Sequence, residues 1–303
     1  MNFLISGQHI NPIYLAVTGF LIGVFGGFFG VGGSFLAGPA LYAVGVPMNF
    51  VVGTDLAHIV GKSIVAAKKH SALGNVDIKL GMAMVLGTIM GVETGAQGIE
   101  YFKRQANVNL VVGSGLTIVL VSISTFIFWE VWRTSEMQNR RRIKRKRKDE
   151  SAFDHFPKRV WRIKLPPMIE LPVSDIKKLS LWVILFVSFI GGIFSGFLGG
   201  GAGYIRMPML VYILGVPTHV AVGTDLFEVV ISASYGTVSH ALKGNVDIMI
   251  ALVMHTGAAI GAQIGALLTE RFSGPRIRLA FAPLPLLGAA LLVYNLFTRG
   301  ELK

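Results

Sequence analysis

The residues best equipped for chemistry in this chain fall into two sets set apart by a constant offset of 170 positions. Asp55, His58 and Lys62 follow one another at spacings of three and four, which places a carboxylate, an imidazole and an amine on one face of a helix. In the second set the same face carries Asp225, Glu228 and Ser232. Groups of these types exchange protons, pair with one another or hold a charged substrate. Inside a membrane helix an Asp, Lys or Arg costs at least about 2.5–3.5 kcal/mol, so such residues line a polar pathway, form a structural polar network or sit at the membrane surface. Glu93 and Gln263 form a second unequal pair at the same offset, and Arg206 stands where the first set has Ala37. A buried cation there would attract an anion, whereas an interfacial one would snorkel. His70 and His240 lie beside Lys68, Lys69 and Lys243, where solvation at a loop end is expected. His255, on an apolar run, is either a satisfied imidazole or a proton carrier.

Glycine breaks precede both sets. Gly26-Gly27-Phe28-Phe29-Gly30-Val31-Gly32-Gly33-Ser34 has its counterpart in Ser195-Gly196-Phe197-Leu198-Gly199-Gly200-Gly201-Ala202-Gly203. Glycine disfavours helix by about 1 kcal/mol relative to alanine, and the backbone groups it frees are tolerated at membrane depth only against protein or water. The helices opening at Ser34 and Gly203 would present free N–H groups and a positive dipole end, a site suited to an anion. Candidate substrate-binding residues are therefore Gly32, Gly33, Ser34, Thr54, Gly201, Ala202, Gly203, Arg206 and Thr224. Candidate ion-coupling residues are Asp55, His58, Lys62, Asp225, Glu228, Glu93 and Gln263. The outer glycines, Gly23/Gly27 and Gly192/Gly196, also have the spacing of close helix packing. As a phosphate loop the pattern fails, since no Lys-Ser/Thr follows it.

The elements that must position these groups are duplicated. Gly45-Val46-Pro47, Gly53-Thr54-Asp55-Leu56 and Gly74-Asn75-Val76-Asp77-Ile78 return as Gly215-Val216-Pro217, Gly223-Thr224-Asp225-Leu226 and Gly244-Asn245-Val246-Asp247-Ile248, and 45–95 shares 19 of 51 positions with 215–265. Hydrophobic residues make up 52% of the chain and charged residues 15%, which is too little polar surface for a soluble protein of 303 residues. Apolar runs long enough to span a bilayer cover 12–30, 48–67, 78–98 and 108–131, then 180–198, 218–241, 247–269 and 277–297. Two shorter ones, 34–46 and 204–215, read as half-helices or steep short spans. The expected fold is an all-α polytopic membrane protein with two homologous repeats, each of four long helices plus one short or broken helix. The expected division is repeat one at 1–131, a linker at 132–178 and repeat two at 179–303. The first apolar run lacks the basic start and cleavage site of a signal peptide and is expected to remain in the mature protein.

The net charge of +12 is concentrated in the linker, which carries 15 Lys/Arg against 6 Asp/Glu, with its densest run at 140–148. Basic residues beside membrane helices are retained in the cytoplasm, which places the linker there, in contact with anionic lipid headgroups and with no nucleic-acid partner. Trp161, Ile163 and Leu165 alternate with basic residues, and Ile169, Leu171 and Val173 alternate beyond Pro166-Pro167, a pattern that predicts a hairpin turning at the prolines or an extended interfacial segment. With no cysteine, disulfides and thiolate metal sites are excluded, and no cofactor is expected.

The doubled Gly-Gly-Phe-Phe-Gly-Val-Gly-Gly-Ser and Gly-Val-Pro…Gly-Thr-Asp-Leu pattern resembles the TauE/SafE sulfite exporter family, also called TSUP, across both membrane halves. The long basic linker departs from many compact members. The resemblance implies a multi-pass permease of a prokaryotic inner membrane that moves sulfite, sulfonate or thiosulfate, often outward. The residues themselves supply only a small anion with proton or ion coupling, by alternating access where the repeats meet. The rival within transport is a divalent cation carrier using Asp55, His58, Asp225, Glu228 and Glu93. A membrane enzyme is the remaining alternative, but no nucleophile–base pair supports it. If the short segments cross, each repeat has five spans and the copies are inverted; if they are re-entrant, each has four and the copies are parallel. Inversion is favoured because it gives access from two sides.

Overall fold

The structure, a computed structural model, describes residues 1–3, 6–31, 34–105, 107–141, 157 and 160–301. A small hairpin of β1 (Asn2–Phe3) and β2 (Gln8–His9) leads into α1 (Pro12–Phe29), α2 (Ser34–Ala43), α3 (Met48–Ala72), α4 (Ile78–Gln105) and α5 (Val108–Arg141). A second hairpin, β3 (Met168–Leu171) and β4 (Ile176–Ser180), leads into α6 (Leu181–Leu198), a 3-10 turn at Gly200–Ala202, and α7 (Gly203–Met209), which runs on as a π-helical turn over Leu210–Leu214. Then follow α8 (Thr218–Leu242), α9 (Ile248–Thr269), α10 (Gly274–Phe281) and α11 (Leu284–Thr298). The protein is an all-α polytopic membrane protein. Among the described residues, seven helical stretches are long and apolar enough to cross a membrane, with Arg276–Thr298 taken as one.

Helix boundaries follow local chemistry. The Asn11 side chain accepts the Ile13 N–H at 2.9 Å and Pro12 occupies the first turn of α1, which ends at Gly30 with φ 71°. Pro47 and Pro217 stand before the first turns of α3 and α8. The span expected over 277–297 is present as Arg276–Thr298, with an internal break between α10 and α11 at Ala282-Pro283, where proline cannot donate to the helix, and the Ser124 hydroxyl donates to the Ala282 carbonyl. One expectation is revised. The linker hairpin forms one strand further on than its alternation implies: Ile169 pairs with Leu179 and Leu171 with Ile176. Its turn follows Pro172 and closes at Asp175, φ 54°, a left-handed position that aspartate tolerates. The basic run 140–148 lies outside the described residues beyond Arg141.

The two halves interlock. A Cβ at Gly19, Gly23 or Gly27 of α1 would lie 2.0, 2.3 or 2.4 Å from the carbonyl oxygens of Met254, Ala258 and Ala262, and Gly257, Gly261 and Gly265 of α9 meet Ala16, Phe20 and Val24 equally closely. Residue numbers rise together, so α1 and α9 run parallel, backbone on backbone, as small-residue stripes permit. Between α4 and α6, Gly87, Gly91 and Gly95 face Leu185, Phe189 and Ile193 in the same way. In contrast, α3 and α8 run antiparallel: Asn49 donates to Asn245 at 2.8 Å, Gly236 packs on Leu56, and Gly223 sits against His70. α8 carries Asp225, Glu228 and two histidines and falls short of the apolar content of the other long helices, because protein rather than lipid surrounds it: Val222, Thr224, Asp225, Glu228, Val229 and Ser232 are all buried.

Candidate anion and ion-coupling site

The glycine breaks bring the two halves together at the centre. A Cβ at Gly203 would lie 2.6 Å from the Val31 Cα and 2.8 Å from the Asp225 Oδ2, and one at Gly30 would lie 2.6 Å from the Val222 Cα. Gly201 adopts φ 67°, a conformation side chains resist. Gly32 and Gly33 lie outside the described residues. Ser34 opens α2, Ala202 ends the 3-10 turn and Gly203 starts α7.

Repeat two builds an ionic cluster from two elements. Arg206 on α7 is fully buried, its Nε donates to Asp225 Oδ1, and its guanidinium pairs with Glu228, both carboxylates being fully buried on α8. Glu228 also accepts from Ser232 Oγ at 3.2 Å. Among the described residues, the Arg206 Nη2, Asp225 Oδ2 and Glu228 Oε1 have no hydrogen-bond partner. With all three groups ionised, the cluster carries one positive and two negative charges.

Repeat one builds a different cluster. Asp55 Oδ1 lies 3.3 Å from His58 Nδ1, and Lys62, 1% exposed, follows one turn along the same buried face. His255 on α9 packs its ring directly over Gly61, where a Cβ would meet it at 2.2 Å, so the imidazole sits beside Lys62. Tyr204, fully buried, has its hydroxyl without a hydrogen-bond partner among the described residues and within electrostatic reach of Asp55. The motif reading passed over Tyr204; its repeat counterpart is Phe35, whose ring packs on Phe281 at 5.6 Å. A tyrosine, carrying a hydroxyl where its counterpart is a phenylalanine, directly after a glycine break was the available signal.

The other candidates lie elsewhere. Glu93 pairs with Lys243 at 3.1 Å and accepts from Ser239 at 2.6 Å and Tyr235 at 3.1 Å near the end of α8. Glu93 thus lies about 16 Å along that helix from Glu228. Gln263 is exposed on the outside of the bundle. Thr54 and Thr224 turn toward the opposite repeat: Thr54 Oγ1 accepts the Asp247 N–H and Thr224 Oγ1 the Asp77 N–H, each at 2.9 Å. His70 and His240, expected to be solvated, are fully buried; each holds its Nε2 3.0 Å from a carbonyl of a glycine-rich helix end, Gly27 and Gly196 respectively. Among the described residues, no three His, Cys, Asp or Glu side chains gather as a metal site would need.

Comparison with known proteins agrees with this architecture. The chain is 24% identical over 291 residues to "Probable membrane transporter protein YunE" of Bacillus subtilis, covering 93% of this chain and 97% of that protein. It is 24% identical over 284 residues to "Probable membrane transporter protein MJ0441" of Methanocaldococcus jannaschii, covering 88% and 89%. A shorter match, 26% identity over 117 residues, covers 37% of this chain and 26% of "Sulfite exporter TauE/SafE family protein 5" of Arabidopsis thaliana. No solved structure gives a significant match. The profile described as "Sulfite exporter TauE/SafE" matches residues 15–292, and the chain belongs to that family of multi-pass membrane transporters.

Proposed function

We propose that this protein is a secondary transporter that carries a small sulfur oxyanion, of the sulfite, thiosulfate or sulfonate class, outward across a prokaryotic inner membrane, and that it is not an enzyme. Alternating access takes place where the two repeats meet. The observation that carries the reading is the fully buried Arg206, bound to Asp225 and Glu228 beside the second glycine break, with one guanidinium nitrogen unpartnered among the described residues. Two carboxylates already occupy this guanidinium. An arriving anion adds further negative charge to a site where buried charge is costly, so it replaces a carboxylate on Arg206 and that carboxylate takes up a proton. Anion and proton then move together. The antiparallel course of the repeat-equivalent helices α3 and α8 supports inverted copies, in which one rocking motion exposes the site to either face. Cation transport gains no support from the geometry, since the carboxylates proposed for it lie in three separate clusters, one of them held on an arginine.

The test is flux in proteoliposomes. Sulfite and thiosulfate should move with protons and Arg206→Lys should slow the flux at least ten-fold, because a point ammonium cannot keep the planar, forked geometry. Uptake of a divalent metal instead, or wild-type sulfite flux in Arg206→Ala, would overturn the assignment.

A further inference from the structure

Each half of the protein begins with a β-hairpin, and the two hairpins make the same contact. The Asp247 N–H donates to Thr54, its Oδ1 accepts the N–H groups of Met249 and Ile250, and its Oδ2 receives both the N–H and the hydroxyl of Ser6, at 3.1 and 2.8 Å. The Asp77 N–H donates to Thr224, its Oδ1 accepts the Leu80 N–H, and its Oδ2 receives the Ser174 hydroxyl at 2.7 Å. The hairpins correspond at the pair nearest the turn and at the serine, while the second shifts register beyond Leu171. The pair Phe3↔Gln8 matches Leu171↔Ile176, Ser6 matches Ser174, and the next residues, Gly7 and Asp175, both have positive φ, 70° and 54°. In each clasp the threonine comes from one repeat and the aspartate from the other, and the serine comes from the hairpin that precedes the threonine's repeat, Ser174 lying at the end of the linker.

The clasps stand at opposite ends of α3. Thr54 lies near its start, and Asp77, past its end, folds back to the level of His70, about 24 Å from Thr54 along the helix axis. Each hairpin is tied to the rest of its own repeat through the helix it precedes, and its serine reaches an aspartate of the other repeat; the second hairpin also packs Leu171, Ile176 and Leu179 into an apolar cluster with Leu80 and Met84. Beside the Ser174 clasp opens a cavity of about 810 Å³ lined by Lys79, Lys177 and Lys178 with Glu170, Asp175 and Trp161. At the other end Gln8 of the first hairpin covers Gly45, where the short helix α2 ends.

We infer that the two hairpins are the gates of this transporter, one on each membrane face, latched by Ser6–Asp247 and Ser174–Asp77, and that the present conformation, with both latches made, is the occluded state. The inference rests on the alternating-access reading. For either face to open, the two repeats must part there, and the bond from the serine hydroxyl to the aspartate is the side-chain contact of the hairpin that yields while the Asp Oδ1 cap stays within its own helix. Opening is then reciprocal: releasing one latch favours that face and holds the other shut.

The chain has no cysteine, so single thiols report opening cleanly. Ile250→Cys and Leu80→Cys place one thiol beneath each clasp at repeat-equivalent, fully buried positions. In vesicles, labelling by a maleimide is expected to speed about ten-fold at position 250 on adding Ser6→Ala, the loss of a hydrogen bond to a charged group, and to slow at position 80. Ser174→Ala should give the mirror pattern. Labelling unchanged at both positions, or faster at both, would make the hairpins static covers and overturn the proposal. Labelling needs no substrate. A protein that carries no sulfite yet shows this reciprocity keeps its latches and loses only the substrate assignment, whereas sulfite flux without reciprocity removes the latches alone.

Discussion

Thr54 and Asp247 meet in a fully buried contact, so removing the Thr54 hydroxyl leaves the Asp247 N–H without its partner at a cost of about 1–3 kcal/mol. Thr54→Val should lower the melting temperature in detergent and Thr54→Ser should restore most of it, with the same outcome at Thr224. A Val variant that melts normally but binds sulfite weakly would make the threonine a ligand. The two aspartates one residue on should behave unequally. Asp225 shares a guanidinium with Glu228, whereas Asp55 faces His58 and Lys62. Asp225→Asn should flatten the pH profile of transport more than Asp55→Asn, and identical profiles would separate proton coupling from the Arg206 cluster. At this scale the sequence exposes the ionisable groups because they stand out in apolar runs. It hides the Thr–Asp contacts, whose partners lie 193 and 147 residues apart, and it hides Tyr204 because a tyrosine among apolar residues passes for core.

At the scale of elements, glycine spacing has a measurable consequence. Gly23→Ala drives a methyl to 2.3 Å from the Ala258 carbonyl oxygen, a backbone atom of a neighbouring helix, and overpacking of that kind costs about 1–3 kcal/mol or more. Gly98 faces only the Phe197 ring at 3.2 Å, so Gly98→Ala should be tolerated and gain helix propensity. Monodisperse yield and melting temperature compare the two directly, and equal behaviour would deny the close approach of α1 and α9. Hydropathy made most of the long helices legible, and the repeat made α8 legible where hydropathy alone falls short. The break at Pro283 was visible as a residue type, but its placement depends on Ser124 from another helix. The linker hairpin misled because strand alternation marks candidate strands without choosing their partners, and Ile169–Leu171 pairs forward with Ile176–Leu179.

For the whole molecule, the pairing of α1 with α9 and of α4 with α6 leaves neither half with a complete set of its own contacts. Halves divided at residue 150 and produced together should co-purify and regain transport, while either half alone should be degraded or aggregate. A half stable by itself would contradict this. The same crossed pairing bears on how such a chain is made and how it arose. During synthesis α1 enters the membrane long before its partner emerges, so its glycine face must wait, guarded by lipid or an insertion factor, until nearly the last helix is delivered; closure of the fold is a late event. Read backward in time, each half offers what the other lacks, so a half-length ancestor could satisfy every glycine stripe only by pairing with a second copy of itself in the opposite sense. In this chain the two copies have diverged, with Arg206 opposite Ala37 and Lys62 opposite Ser232. An assembly of identical halves would be bound to be symmetric; with different residues at these matched places, the two faces of the molecule are no longer equivalent.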